Sequence, residues 1–146
     1  MKNGIKVNVH LKTTITVNGE EEVHVFDVPG QVVKMAETLY LRYEEQYELE
    51  TGESLKIPVT VKFEENGVVH LTRAAEQRVK MSFDLTKSQS TNYRTPYGMM
   101  LIDVVTIKAH LVLQDKPIAG EAIIDYQLKA GTEKLGDYQL DLRFAE

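Results

Sequence analysis

Period two dominates the chain. Ile5, Val7, Val9, Leu11, Ile15 and Val17 alternate with Lys6, Asn8, His10, Lys12, Thr14 and Thr16, the pattern of a half-buried strand with one face to water. It runs into Asn18-Gly19, the strongest short hairpin signal because both central residues tolerate positive φ. A second strand returns through Val23, Val25 and Val28 until Pro29-Gly30 bends it. Ile57, Val59, Val61 and Phe63 repeat the alternation, Asn66-Gly67 predicts another tight hairpin, and Val69, Leu71 and Arg73 come back on one face. Val79, Met81 and Phe83 follow in phase. Pro58 has no backbone N–H to give a ladder, so it belongs on an edge, at a bulge or near a strand start. Met99 to Leu113 reads as a long, nearly continuous apolar strand. Ile118 to Leu128, and Tyr138, Leu140, Leu142 and Phe144, supply the last two, joined near Ala130-Gly131 or Leu135-Gly136. Short strands with regular turn signals predict an all-β sandwich or barrel.

Two stretches depart from that rhythm. Val32, Met35, Ala36, Leu39, Tyr40, Tyr43 and Tyr47 fall at helical spacing among good helix formers, so periodicity alone predicts a helix over residues 32–48. The same residues also split into a strand at 31–35, a turn at Ala36-Glu37 and a strand through Leu39, Leu41 and Tyr43, where Tyr and Thr are at home. Local pattern leaves both readings open. The second stretch is the polar run Asp84 to Asn92, read as a loop leading into Asn92-Tyr93-Arg94-Thr95-Pro96-Tyr97-Gly98. Thr95-Pro96-Tyr97-Gly98 fits a type I turn, with Pro second and Gly fourth, and Pro96 biases Thr95 towards extended geometry before the strand at Met99.

Composition narrows the function classes. With 146 residues, 42% apolar and 27% charged, the chain reads as one domain, residues 1–146, long enough to bury a core. Cysteine is absent, which excludes disulfides, thiolate metal sites and a Cys nucleophile. A net charge of -5 lacks the basic bias of nucleic-acid binders, so no nucleic-acid partner is expected. Met1-Lys2-Asn3 leads straight into alternating residues, with no apolar leader segment and no membrane-length apolar run anywhere. A cytoplasmic protein with no membrane partner is the expectation.

The order of motifs adds to this. Tyr43-Glu44, an alternating hairpin ending in Arg73, Met81-x-Phe83, Tyr93-x-Thr95-Pro96-Tyr97-Gly98 and then Thr106 together resemble the YwiB-like family, small bacterial proteins of unknown function. The resemblance spans essentially the whole chain, and the Tyr-x-Thr-Pro-Tyr-Gly element is its most specific part. It implies a single antiparallel up-and-down β-barrel of about eight to nine strands, calycin- or lipocalin-like, and it favours strands over a helix for residues 38–45. The family pattern places Gly soon after the Arg of the fifth strand, where this chain has Ala74-Ala75-Glu76. No catalytic residues come with the resemblance, and a fold name does not specify a ligand.

The residues themselves point to a polar mouth. Arg73 is in phase with Val69 and Leu71, so its guanidinium is expected on the apolar side, where it needs a carboxylate. Asp103 interrupts Leu101, Val105, Ile107, Ala109 and Leu111, and Glu44 adjoins Tyr43. Pairing of Arg73 with Asp103 or Glu44 is one expectation; the other is that Arg73 sits at a strand end and snorkels to water. Tyr43, Tyr93 and Tyr97 are the tyrosines placed with them, since a phenol offers a flat apolar body and one hydroxyl. His10, His24, His70 and His110 show no ligand spacing and read as solvent-facing, with His24 set between inward-phased Val23 and Val25. No metal ligands, cofactor or catalytic constellation is assigned.

Three functions fit these readings. The first is a non-catalytic binding module for a small, partly apolar ligand at the mouth, formed by Tyr43, Glu44, Arg73, Tyr93, Tyr97 and Asp103. A continuous apolar cavity of at least ~300 Å³ would favour it, whereas inward Phe63, Phe83, Phe144, Met81 and Met100 argue for a filled interior. The second is a protein–protein adaptor or homodimer using the outer face of the 99–113 strand, because residues 99–105 are apolar in both phases. The third is an enzyme with a polar mouth around Arg73.

Overall fold

The alternating segments become ten antiparallel strands in the computed structural model, which describes residues 4–146. They are β1 (Ile5–Val17), β2 (Glu20–Met35), β3 (Thr38–Glu48), β4 (Ser54–Phe63), β5 (Val69–Ala74), β6 (Arg78–Phe83), β7 (Gln89–Thr95), β8 (Gly98–Asp115), β9 (Ile118–Ala130) and β10 (Glu133–Ala145). Met1 to Asn3, the start of the chain from which no leader is expected, lie outside the described residues. Among those described, no helix is long and apolar enough to cross a membrane.

The chain meanders. Each strand pairs with its neighbours in sequence except β6 and β7, and β1 also pairs with β10. The single sheet therefore curls round until β6 lies beside β7, a barrel closed everywhere but at that seam. There a side chain stands in for the missing ladder. The Gln77 amide donates from Nε2 to the Arg94 carbonyl at 3.0 Å and accepts the Arg94 N–H on Oε1 at 2.9 Å, the pair of bonds a strand residue would make.

Ten strands exceed the eight to nine expected, and β7 explains part of the difference. Its first part falls inside the run Asp84–Asn92 read as a loop, because its position at the seam leaves Ser90, Asn92, Tyr93 and Arg94 exposed and no apolar alternation marks it. Residues 32–48 are strand, turn and strand, not helix. The turn is at Ala36-Glu37, with Ala36 at φ 56°, and Leu39, Leu41, Tyr43 and Glu45 are the buried positions of β3. Tertiary pairing with β2 and β4 overrides the helical spacing. Pro58 lies just past the β4–β5 ladder, which stops at Val59 opposite Arg73, so its missing N–H costs no bond on that side. Asn18 and Gly19 both take positive φ, as their hairpin requires, whereas only Gly67 does so at the second turn. That turn is longer, closed by Glu64 and Val68.

Two phases differ from the sequence reading. In β2, Val23 and Val25 are exposed, while Phe26, Val28 and Val32 pack on the core; the even positions point inward. In β8 the buried residues are Val104 and Thr106, and a register shift between Thr106 and Lys108 then moves Ala109 and Leu111 inward. Asp103 thus faces out, where it accepts a hydrogen bond from Ser90 Oγ at 2.6 Å.

The interior is packed at one end only. Phe63, Val69, Phe83, Ile118 and Phe144 fill the end bearing the β4–β5, β6–β7 and β8–β9 connections, with Phe63 and Phe144 rings 6.0 Å apart. The wall is irregular at the opposite end. The β2–β3 ladder stops at Gly30 opposite Tyr43, after which β2 stays with β1 and β3 with β4. Gly30 is demanded there: a Cβ would lie 2.7 Å from Val9 Cγ2 and 2.8 Å from the Arg42 carbonyl. Outside, the parting strands leave a groove of about 700 Å³ whose rim includes Lys6, Pro29, Arg42 and Glu44. Inside, Phe26 and Tyr47 meet edge to face at 5.5 Å and span the gap.

Candidate functional site

Strand alternation builds the site. Tyr43, Glu45 and Tyr47 are successive inward positions of β3, and Arg73 joins the same inward row, opposite Val59 of β4, which is itself opposite Tyr43. The Arg73 guanidinium donates from Nε at 3.0 Å and from Nη2 at 2.7 Å to one oxygen, Glu45 Oε1. The Tyr47 hydroxyl donates to the same oxygen at 2.9 Å, and its own oxygen lies 3.4 Å from Arg73 Nη2. Glu45 is sunk in the wall, its side chain 9% exposed, whereas Arg73 retains 36%. A carboxylate at that depth is tolerated because three donors hold it, two of them from the guanidinium cation.

The electrostatics follow from this arrangement. Burial lowers the pKa of Arg73, but the hydrogen bond and charge of Glu45 outweigh it and hold the guanidinium above its ordinary value. Burial, then the hydrogen bond to Glu45, raises Tyr47. Tyr43 is raised further, by burial first and the nearby Glu45 charge second, and its hydroxyl is buried with no partner among the described residues. Thr106 Oγ1, on β8 opposite Tyr126, is a second orphan. All these phenols stay protonated at neutral pH, as donors and acceptors rather than bases.

Beside the cluster the barrel is hollow. A cavity of about 260 Å³ is lined on the β3–β5 side by Glu45, Tyr47, Leu71 and Arg73, and on the other by Leu11, Thr13, Ile15, Tyr126, Tyr138 and Leu140; His24, Phe26 and Met81 complete it. Tyr126 and Tyr138 stack at 5.0 Å with 10° between their planes. Burial raises both phenols, and no hydrogen bond engages either hydroxyl among the described residues.

The residues expected at the mouth are dispersed. Arg73 lines the cavity and Tyr43 lies in the wall beside it. Glu44 faces the outer groove. The partner of Arg73 is Glu45, not Glu44 or Asp103; Asp103 is on the outer face with Ser90. Tyr97 is 99% exposed at the tip of the β7–β8 turn and Tyr93 is 40% exposed on β7, at the same end of the barrel as Arg73 but outside the cavity lining. Glu45 and Tyr47 were legible: once Leu39, Leu41 and Tyr43 set the inward phase, the next inward positions are 45 and 47. Tyr126, Tyr138 and His24 carry no local signal, since they meet Arg73 only through barrel closure. His24 is exposed, as expected, and pairs with Glu22 at 3.3 Å, while its ring also borders the cavity opening. His10 pairs with Asp27 at 2.6 Å, and His70 meets Ser82 and Glu64.

Residues 9–142 match the family described as "Domain of unknown function (DUF1934)". The chain belongs to this family. The fold agrees with that of a solved protein: the crystal structure of ywiB protein from Bacillus subtilis superposes with a TM-score of 0.76 at 21% identity, over 96% of this chain and 90% of that one. At that identity the likeness concerns the fold, an antiparallel all-β barrel. No curated protein matches.

Proposed function

We propose that this DUF1934 barrel is a non-catalytic binding module that takes a small, partly apolar ligand into its open end. The observation that carries the reading is the cavity of about 260 Å³, apolar through Leu11, Ile15, Leu71, Met81 and Leu140 and polar through Glu45, Tyr47 and Arg73. Apolar walls with a few converging polar groups are the usual composition of a ligand site. The volume is below the ~300 Å³ at which pockets for drug-sized molecules begin, so the ligand is a small one. The lining is also partly polar, in place of the continuous apolar lumen of at least ~300 Å³ set as the criterion from sequence. Native mass spectrometry of the protein purified gently from its own host tests the reading. A retained small molecule, lost on replacing Leu71 by Trp to fill the cavity, is the expected result; an unliganded mass, with no small molecule perturbing lumen resonances in NMR, overturns it.

A second reading is favoured by one surface. On the outer side of β8, Met99 is 62%, Leu101 57% and Ile107 50% exposed, an apolar stripe suited to a second copy or an adaptor role. The same mass measurement separates them, because a strict monomer sinks the homodimer.

A further inference from the structure

The bonding pattern of the ion pair defines a ligand class. Every contact to Glu45, from Tyr47 O–H, Arg73 Nε and Arg73 Nη2, ends on Oε1. Oε2 and Arg73 Nη1 have no hydrogen-bond partner among the described residues, although both side chains line the cavity. The wall therefore retains one strong acceptor and one strong donor while its charges cancel.

We infer that the cavity selects an uncharged, ring-bearing small molecule carrying both a hydrogen-bond donor and an acceptor, of the amide or lactam type. This rests on the binding reading above and names its ligand. A carboxylate would gain from Nη1 but place its charge against Oε2; an ammonium would meet Oε2 but be repelled by the guanidinium. Either ion would also lose its hydration in a site with no net charge to compensate. An amide satisfies both groups without moving a charge out of water: its N–H donates to Glu45 Oε2 and its C=O accepts from Arg73 Nη1. The body of such a ligand finds Leu71, Met81 and Leu140 and the stacked Tyr126–Tyr138 pair, flat partners for a ring.

Three probes of one skeleton test this: benzamide, benzoate and benzylammonium, titrated into the full chain with affinities read from ¹⁵N chemical shifts. Benzamide is expected to shift the resonances of Glu45, Tyr47 and Arg73 and to bind at least about tenfold more tightly than either ion, the scale of one mispaired buried polar contact. Glu45→Gln removes the balancing charge and is expected to bring benzoate to first place. Benzoate or benzylammonium binding in the lumen as well as benzamide overturns the inference while leaving the cavity as a binding site, and so does an unchanged order in Glu45→Gln. Failure of all three to reach the lumen at millimolar concentration overturns the binding reading itself, and this inference with it. Should Glu45→Gln not fold, the order of the three probes on the unaltered chain still decides.

Discussion

The two ends of this barrel are made from the same alternating strands and yet do opposite things with their inward positions. At the β4–β5 end those positions are Phe63, Val69, Phe83 and Phe144, each no more than 3% exposed, and they leave no room between them. At the other end the barrel presents Tyr47, Arg73, Met81, Tyr126 and Tyr138 around a cavity. The contrast shows what a barrel needs for stability and what it can spare. Phenylalanine rings close one end by packing, which is non-directional and tolerates no gap. Arginine, glutamate and tyrosine hold the other by directed bonds, which satisfy polar groups and leave space beside them.

The comparison breaks most visibly at the packed end. Phe63→Ala is expected to cost about 3–5 kcal/mol, the range for removing a fully buried ring, measured as a shift in urea midpoint. At the open end, Glu45→Ala is expected to cost about 1–2 kcal/mol: it strands Arg73, but Arg73 keeps 36% of its side chain in water, which screens the loss. A similar effect for both variants would mean that the two ends are not distinct in packing.

Alkaline titration sharpens the contrast, because buried phenols sit in the hollow end. Burial raises Tyr43 and Tyr126 above 10.0 in the folded chain, whereas in the unfolded chain both ionise near that value. Above pH 10 the folded state therefore holds protons that the unfolded state has released. Their stabilising contribution is full below pH 10 and is lost as pH rises from there towards the folded values, at about 1.4 kcal/mol per pH unit for each tyrosine. Urea titrations at pH 9, 10 and 11 should show this slope, and Tyr126→Phe should remove one proton's share of it. An unchanged slope in Tyr126→Phe would show that its phenol is not protected. The smallest effect belongs to the turn: Tyr97→Ser, at a 99% exposed position, is expected to change stability by less than about 0.5 kcal/mol and to leave probe binding as it was, seen by thermal melting and the same shifts.

Much of the architecture was legible because alternation is a local signal. β1, β4, β5, β6, β9 and β10 were read from period two and their turn residues, and Pro58 was expected on an edge, at a bulge or near a strand start; it lies where β4 has a neighbour on one side only. Three failures have definite causes. The helical spacing over 32–48 was real but weaker than pairing on both sides of β3. β7 was missed because its seam position leaves it polar. The phases of β2 and β8 were set wrongly because β-branched residues occur on both faces of each strand, and the register shift near Thr106 cannot be seen without the partner strand.

The candidate site divides along the same line. Arg73 was identified from its phase alone, and Glu45 and Tyr47 follow from the phase of Leu39, Leu41 and Tyr43, so one wall was within reach of sequence. The opposite wall was not. Tyr126, Tyr138, Thr13 and His24 reach the cavity only because β10 pairs with β1 and brings distant strands round to face β3 and β5. Local alternation determined which residues turn inward; closure of the barrel decided which of them meet, because facing across a lumen depends on strand number and register rather than on any neighbour in the chain.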